Sequence, residues 1–176
     1  MTDPALPSGS DRVLAAIKDK KADVVVNIQG DEPLIPAEAI DTTVSLLLSG
    51  DDFDVTTAAA PLKPEQLDNT SVVKVVTDLQ RRALYFSRSP IPHPWRCFPP
   101  ASAFLRHVGL YVFRRHILEE FCSWEVADLE RCESLEQLRL LVHGKRIGVA
   151  LVPDFPQGVD TEDDLERVRN HLSLSS

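Results

Sequence analysis

Two carboxylates follow a short apolar run near the start of the chain. The run Val24–Val26 is β-branched and predicts a buried strand, which the segment Gln29–Pro33 (Gln-Gly-Asp-Glu-Pro) ends. Asp31 and Glu32 then lie at the carboxyl end of that strand, where ligands bind in open α/β sheets. Mg²⁺ suits such a place, because it accepts one or two carboxylates and completes its shell with water and substrate phosphates. The alternative is a surface turn, since Asp, Gly and Pro are common turn residues.

The composition indicates one globular domain, residues 1–176. The chain is 43% hydrophobic and 26% charged, with a net charge of −8, which argues against non-specific nucleic-acid binding. No apolar run approaches the length of a membrane span, and the first residues do not resemble a signal peptide. Three cysteines without CxxC spacing argue against a disulfide framework or a zinc site, so a cytoplasmic protein is expected.

Alternating strand and helix patterns must position the candidate residues. Strands are predicted at 23–28, 53–60, 72–77, 83–87, 104–113 and 147–151. Helices are predicted at about 10–20, 36–49, 115–122, 133–143 and 161–171. This order predicts an α/β fold with a mostly parallel layered sheet, interrupted by an antiparallel piece around the proline-rich loop 89–100. The chain has no Gly-x-Gly-x-x-Gly or Walker motif, so a dinucleotide-binding fold or a P-loop NTPase is poorly supported.

A series of motifs in fixed order extends over nearly the whole chain. They are Ser8–Arg12, Val26–Pro36, Val73–Val76, Ala83–Arg88, Phe104–Tyr111, Leu135–Arg139 and Gly158–Glu166. In this order the chain resembles the 3-deoxy-manno-octulosonate (KDO) cytidylyltransferases, or CMP-KDO synthetases. The resemblance implies the nucleotide-diphospho-sugar transferase fold, which is Rossmann-like and GT-A-like. It also implies an Mg²⁺-dependent homodimer that joins CTP and KDO, giving CMP-KDO and pyrophosphate for lipopolysaccharide biosynthesis.

The resemblance implies two metal-binding carboxylates. Asp31 matches the aspartate of the Gln-Gly-Asp-Glu-Pro motif, and Asp160 matches a second acidic position in Gly-Val-Asp-Thr. In the implied reaction the anomeric hydroxyl of KDO attacks the α-phosphorus of CTP. Such a transfer depends on positioning and on neutralising phosphate charge, mainly by Mg²⁺. The two aspartates are far apart in sequence, so only the fold can bring them together.

Further residues match the sugar-binding positions of the family. Arg88 is expected to bind the KDO carboxylate, because a guanidinium can do so with two parallel hydrogen bonds; the alternative is a surface salt bridge. His107 is expected to contact the sugar, and its alternative is a structural histidine. Tyr111 lies an even number of positions later, on the same strand face. Glu136 and Gln137 are expected to reach sugar hydroxyls, or else to form a solvated helix face.

The segment Ser8-Gly9-Ser10 matches the part of the family that faces the cytosine base. Small residues let the backbone approach a flat base, and hydroxyls can bond its edge. Helix capping is the alternative role for Ser8 and Ser10, and the two roles are compatible. Arg12 is expected to support this loop or a phosphate, and Gln29 to contact substrate.

The chain departs from the family at its start. The family begins with a strand and a Pro-Ala-Arg-x-x-Ser-x-Arg-x-x-x-Lys loop that wraps the triphosphate, and no such segment occurs here. We therefore expect an N-terminally truncated enzyme, from a mis-set start or a sequence fragment, with an uncovered sheet edge beside the strand that ends at Asp31. Two alternatives stay open: a related CMP-sialate-type synthetase, and a non-catalytic KDO-binding or dimerisation fragment.

Overall fold

The computed structural model describes residues 6, 8–93, 104–155, 158–159 and 162–174. Its strands are β1 (Val24–Ile28), β2 (Val55–Pro61), β3 (Lys74–Thr77), β4 (Ala83–Ser87), β5 (Leu105–Arg114) and β6 (Ile147–Leu151). Its helices are α1 (Gly9–Ala16), α2 (Ala37–Leu48), α3 (Arg115–Ser123), α4 (Asp128–Glu133), α5 (Gln137–Val142) and α6 (Glu162–Leu174), with a 3₁₀ turn at Pro64–Gln66. None of the described helices is both long and apolar enough to cross a bilayer.

The six strands form one sheet around the long strand β5. The order β4-β3-β5-β2-β6 runs across the sheet, and β1 also pairs with β5. Strand β5 is antiparallel to β1, β2 and β3, the β3–β4 pair is an antiparallel hairpin, and β2 with β6 is parallel. The α/β class and the expected hairpin are therefore present.

The predicted mostly parallel sheet is a mixed sheet in the structure, because only β2–β6 is parallel among the described strand pairs. The reason is the entry direction of β5. Strands β1, β2 and β3 are each antiparallel to β5, and β6 is parallel to β2, so these four strands share one direction. Strand β5 follows the hairpin without a crossover helix, and it lies between β1 and β2 in the opposite direction.

A side-chain cap begins α1, and a proline precedes α2. The Ser8 hydroxyl accepts a hydrogen bond from the Asp11 amide over 3.2 Å and so caps α1. Helix α1 ends at Ala16, earlier than the predicted residue 20. Helix α2 starts after Pro36, and its buried residues Ala39, Thr43 and Leu47 recur every fourth position against the sheet.

Apolar clusters cover both faces of the sheet. The largest joins all six strands to α3 and α5, through residues such as Phe113, Phe121 and Leu138. On the opposite face α2 packs on Val108 and Leu110 of β5. The central strands are therefore fixed from two sides, and side chains at their ends are presented on a rigid base.

One helix escaped the sequence pattern. The predicted helix 133–143 corresponds to the shorter α5, and an unpredicted helix, α4, precedes it, with Ser134 between them in the left-handed conformation at φ 52°. That break turns the chain so that Arg139 of α5 meets Glu130 of α4. It thereby sets the position of Glu136 and Gln137 at the start of α5.

Strand β1 has an uncovered side. Among the described strands it pairs with β5 alone, and its residues Val26 and Ile28 are 37% and 42% exposed. This agrees with the expected open sheet edge beside the strand that leads to Asp31. Exposed apolar side chains on an unpaired strand edge are unusual in natural β-sheets.

Candidate active site

A cavity of about 340 Å³ lies over the middle of β5 and beside the turn that follows β1. Eight residues singled out from the sequence line it: Ser10, Gln29, Asp31, Arg88, His107, Tyr111, Glu136 and Gln137. They come from α1, the β1 turn, β4, β5 and the α5 start, so the fold assembles them from distant parts of the chain. Ser8, Gly9 and Arg12 are not in the lining, and Asp160 lies outside the described residues.

The Asp31 turn is fixed by backbone hydrogen bonds on two sides. The Gln29 amide donates to the Gly109 carbonyl of β5 over 3.0 Å, and the Glu32 amide donates to the Gln29 carbonyl over 3.1 Å. From the other side, the Val159 amide donates to the Asp31 carbonyl over 2.7 Å. The segment that leads directly into Asp160 is therefore attached to the Asp31 turn.

Glycines allow two close approaches at this turn. A Cβ on Gly109 would lie 2.9 Å from the Gln29 Cγ, and a Cβ on Gly158 would lie 2.5 Å from the Asp31 carbonyl oxygen. Neither distance occurs between real atoms of these kinds, so both positions need glycine. These glycines let Gln29 lie flat on β5 and let residues 158–159 reach the carboxylate turn.

Arg88 is held by main-chain carbonyls. Its Nε donates to the Glu133 carbonyl over 2.7 Å, Nη1 to Thr70 over 2.9 Å and Nη2 to Ser134 over 3.4 Å. These contacts use three of the five guanidinium N–H groups. In the described part of the chain its partners are carbonyl oxygens and not side-chain carboxylates, so the surface salt bridge is not observed.

Lys74 holds the main chain of Arg88 in place. Its fully buried Nζ donates to the carbonyls of Val72 over 2.8 Å and Asn69 over 3.0 Å, and also to the carbonyl of Arg88. Burial lowers the pKa of Lys74. Three carbonyl acceptors match the three ammonium protons, so this lysine ties the 69–72 loop to the end of β4.

His107 and Tyr111 form the aromatic wall of the cavity. Their ring centroids are 5.3 Å apart, and Phe86 meets His107 edge-on at 5.2 Å, which agrees with the predicted shared strand face. Burial and the adjacent Arg106 charge lower the pKa of His107 to about 3. Burial and the nearby Glu136 carboxylate raise the pKa of Tyr111 well above its usual value. Both side chains are therefore neutral at physiological pH.

Glu136 and Gln137 are not on a solvated helix face. Gln137 is 4% exposed and Glu136 is half-buried. The Ser10 hydroxyl donates to Glu136 Oε2 over 3.1 Å, which joins the start of α1 to the start of α5.

A buried ion pair follows in α5. Arg139 donates from Nε and Nη2 to the two carboxylate oxygens of Glu130 over 2.8 and 2.5 Å. This buried pair fixes α5 relative to α4.

The remaining predicted residues surround the cavity. Ser8 caps α1, as the alternative reading proposed. A Cβ on Gly9 would lie 3.7 Å from the Gln29 amide oxygen, so Gly9 lies beside a lining residue. Arg12 is exposed on α1, and its described surroundings show no link to the cavity lining.

Three buried polar residues of the site went unrecognised in the sequence. Arg106 is 2% exposed, lines the cavity, and donates from Nη2 to the Phe155 carbonyl over 2.8 Å and to Asp154 Oδ1 over 3.2 Å. Lys74 and Thr57 are fully buried. A signal existed for the two cations, because charged residues at inward positions of apolar strands are rarely buried without a purpose. Thr57 gave no such signal, since threonine is common in strands.

The donor chemistry of the Asp31 turn fits a hard divalent cation. Asp31 is exposed to the cavity and Glu32 lies beside it. The turn can therefore supply carboxylate oxygens as ligands for a cation. Among the described residues no cluster of three or more His, Cys, Asp or Glu side chains is already arranged as a metal cage.

Comparisons with known proteins agree with this geometry. The cytidylyltransferase family model matches residues 1–147. The 3-deoxy-manno-octulosonate cytidylyltransferase of Bdellovibrio bacteriovorus is 45% identical over 176 residues, which cover 98% of this chain and 71% of that protein. The enzyme of the same name from an Anaeromyxobacter species is 50% identical, with 98% and 70% covered.

Solved structures give the same result. A CMP:2-keto-3-deoxy-manno-octonic acid synthetase complexed with CTP superposes with a TM-score of 0.91 at 35% identity, over 100% of this chain and 72% of that chain. An inositol-1-phosphate CTP transferase from T. maritima shares the fold alone, with a TM-score of 0.62 at 14% identity, over 96% of this chain and 62% of that chain. By sequence, family model and structure together, the chain belongs to the 3-deoxy-manno-octulosonate cytidylyltransferase family.

Proposed function

We propose that this chain forms the sugar- and metal-binding part of an enzyme that transfers CMP from CTP to KDO, releasing pyrophosphate. The carrying observation is the cavity itself, which gathers eight predicted substrate and metal residues in a chain 45% identical to a relative of that name. In the reaction the KDO anomeric oxygen bonds to the α-phosphorus while the bond to the pyrophosphate oxygen breaks. The anomeric hydroxyl gives up its proton to solvent water as the new P–O bond forms.

The KDO carboxylate binds at Arg88 in this proposal. Carbonyl contacts fix the guanidinium plane and leave the second hydrogen on Nη1 and on Nη2 outside those contacts. Two such hydrogens match the two oxygens of a carboxylate. The Lys74 ammonium prevents the strand end from shifting, because it holds the Arg88 carbonyl.

In this proposal the sugar hydroxyls and the cytosine base bind to different sets of residues in the cavity. Neutral His107 and Tyr111 offer uncharged hydrogen-bonding groups, while Glu136 and Gln137 offer an acceptor and an amide from the start of α5. Ser10 and Gln29 are assigned to the cytosine edge, beside the close backbone approach at Gly9. A polar sugar and a flat base thus meet chemically different surfaces.

Asp31, together with Asp160, is assigned to the metal. The support is the carboxylate of Asp31 at the cavity and the hydrogen bond from Val159, the residue directly before Asp160. Mg²⁺ would neutralise phosphate charge and orient the α-phosphoryl group. The chain's own contribution is to hold Asp31 rigidly, through the Gly109 and Val159 hydrogen bonds on either side of its turn.

A second candidate function is KDO binding without turnover. Its support is the charge balance of the described cavity lining, which holds Asp31, Glu32 and Glu136 against Arg88 and Arg106. Arg106 is already paired with Asp154, and Arg88 with carbonyls. A triphosphate needs more positive charge than this lining offers, because phosphoryl transfer relies on cations around the leaving group.

Two measurements on the same protein separate these candidates. Calorimetric titration with KDO tests the sugar site, and coupled pyrophosphate release from CTP plus KDO with Mg²⁺ tests turnover. KDO binding with release supports the enzyme. KDO binding without release, from a chain with a cooperative melting transition, supports the binding fragment. A folded chain that binds neither KDO nor CTP contradicts both.

The sugar site has a matched control. We expect Arg88→Lys to weaken KDO binding about tenfold or more, because an ammonium loses the two-pronged contact. Arg82→Lys, an exposed arginine paired with Asp78 at the hairpin, is expected to bind KDO like the parent protein. A stronger response to a sialic acid than to KDO in a thermal-shift assay would instead favour a CMP-sialate-type synthetase.

Assembly and location stay predictions of the family resemblance. We propose a homodimer in the cytoplasm, as expected for an enzyme whose substrates are CTP and the sugar acid KDO. Sedimentation at several protein concentrations tests the dimer. A single monomeric species at all concentrations would contradict it.

A further inference from the structure

The buried hydroxyl of Thr57 contacts the His107 ring. Its Oγ1 lies 2.8 Å from His107 Nε2, 2.7 Å from the Leu110 carbonyl oxygen and 3.4 Å from the Val108 carbonyl oxygen. Thr57 is fully buried in β2, so water does not compete for these contacts. Among the described residues, Thr57 is the only hydrogen-bond partner of the imidazole.

Proton counting at this hydroxyl gives the direction of the bond. A threonine hydroxyl has one proton to donate and two lone pairs to accept with. A carbonyl oxygen only accepts, so the 2.7 Å contact with Leu110 requires the hydroxyl proton. The hydroxyl oxygen must then accept from His107, whose Nε2 therefore carries hydrogen. The opposite assignment would place two oxygen lone pairs against each other at 2.7 Å in a buried site, which is costly.

The direction of the hydrogen bond between Thr57 and His107 matters because the His107 ring is neutral. Burial and the Arg106 charge lower the pKa of His107 to about 3, so the imidazole has a single proton at neutral pH. With that proton on Nε2, Nδ1 is an acceptor.

We propose that Thr57 is a positioning residue that fixes His107 as the Nε2–H tautomer and so makes Nδ1 an acceptor for a hydroxyl of the sugar substrate. This rests on the proposed KDO site, because His107 lines that cavity. An acceptor nitrogen attracts a hydroxyl and repels a carboxylate or phosphate. The tautomer therefore assigns His107 to the hydroxyl side of KDO and leaves the carboxylate to Arg88.

The backbone around Thr57 gives the hydroxyl a second, structural role. The pairing of β2 with β5 shifts at this point, from Thr57 opposite Tyr111 to Ala58 opposite Val108. Residues 109 and 110 of β5 lie between these paired positions, and the Leu110 carbonyl is the one that Thr57 holds. A test must therefore distinguish tautomer control from simple support of this bulge.

The neighbouring threonine is a matched control. Thr56 is equally buried, and its hydroxyl donates to the Thr43 carbonyl of α2 over 2.8 Å, on the other face of the sheet. Thr56→Val and Thr57→Val both remove one buried hydroxyl from the same strand. Thr57→Ser keeps the hydroxyl and removes only a methyl group.

The experiment reads the tautomer directly by NMR of protein labelled with ¹⁵N at both histidine ring nitrogens, with His107→Gln assigning the signals. We expect protonated Nε2 and unprotonated Nδ1 in the parent, Thr57→Ser and Thr56→Val proteins, and loss of this single tautomer in Thr57→Val. Nδ1–H in the parent protein, or an unchanged tautomer in a folded Thr57→Val protein, would overturn the proposal. This readout needs no substrate, so it stands apart from the proposed function.

A second measurement tests whether Nδ1 of His107 accepts a hydrogen bond from KDO. Saturating KDO is expected to shift the Nδ1 signal, and Thr57→Val is expected to weaken KDO binding about tenfold, with recovery in Thr57→Ser. An unchanged Nδ1 signal in a protein that calorimetry shows to be KDO-loaded would overturn the acceptor role. Absence of KDO binding in the parent protein would contradict the proposed function, while the tautomer in the free protein is still decided.

Discussion

The Val159 amide donates a 2.7 Å hydrogen bond to the carbonyl oxygen of Asp31. This bond joins two segments separated by more than a hundred residues, and it does so next to both carboxylates assigned to the metal. The contact requires Gly158, because a Cβ there would lie 2.5 Å from the same carbonyl oxygen. Backbone contacts therefore fix the turn that carries Asp31, whose carboxylate is proposed to bind the metal.

Gly158→Ala should disturb this corner. The clash is with backbone, so we expect a loss of about 1–3 kcal/mol in the free energy of unfolding and a weaker affinity for Mg²⁺. Urea denaturation and a titration with Mg²⁺ measure the two effects. Gly30→Ala is the control, because its Cβ would meet nothing within 4 Å in the same turn. Equal effects of the two substitutions would show that the close approach is unimportant.

Asp31→Asn should remove metal-dependent activity and leave the fold intact. The side chain is exposed to the cavity, so stability should change by no more than about 0.5 kcal/mol. Pyrophosphate release should fall by about 100-fold or more, since the charge that holds the cation is lost. Asp41→Asn, an exposed carboxylate on α2, should leave release unchanged. Retained turnover in Asp31→Asn would refute the metal assignment.

The buried pair of Arg139 and Glu130 should be far more sensitive than its exposed neighbour. Arg139→Met leaves the Glu130 carboxylate buried without its partner, so we expect a loss of about 3–5 kcal/mol in the free energy of unfolding. Arg131→Met breaks the exposed pair with Asp128 in the same helix and should cost about 0–1 kcal/mol. Chemical denaturation measures both, and similar losses would contradict the burial argument.

The protonation of His107 should appear in the pH dependence of stability. The folded pKa is lowered from 6.5 to about 3, so below 6.5 the unfolded chain binds a proton that the folded chain excludes. Stability is therefore fully present above pH 6.5 and falls as the pH decreases toward 3, by up to about 1.4 kcal/mol per pH unit for this one group.

Replacing the histidine isolates that contribution. His107→Gln should flatten the slope of unfolding free energy between about pH 6.5 and about pH 4.5, measured by urea denaturation. His116→Gln, an exposed histidine on α3, should keep the slope of the parent protein. Parallel curves for the parent and His107→Gln would mean that the folded imidazole titrates normally.

The sequence predicted what local pattern controls. The strand that leads to Asp31, the shared face of His107 and Tyr111, and the β3–β4 hairpin follow from apolar alternation and turn residues. Eight of the residues that the family motifs predicted line the cavity, whereas Ser8, Gly9 and Arg12 lie outside its lining.

Tertiary contacts decided the rest. The antiparallel direction of β5 depends on which strands it lies between, and the left-handed Ser134 depends on α4 and α5 packing against each other. Lys74 and Arg106 are buried because carbonyl oxygens from other segments surround them, which strand periodicity does not reveal. The bond from Thr57 to His107 spans 50 residues and leaves no trace in either local pattern.

The uncovered side of β1 has a consequence for behaviour in concentrated solution. Exposed Val26 and Ile28 beside unpaired strand backbone, within the described residues, form a template on which another chain can align. Charges border this strand closely: Lys20, Lys21 and Asp23 precede it, and Asp31 and Glu32 follow. A parallel pairing of two copies along this edge would bring like charges together, whereas an antiparallel pairing would place the lysines of one copy near the acidic turn of the other. The acidic turn therefore disfavours parallel pairing at this edge and leaves the antiparallel direction as the one that self-association would take.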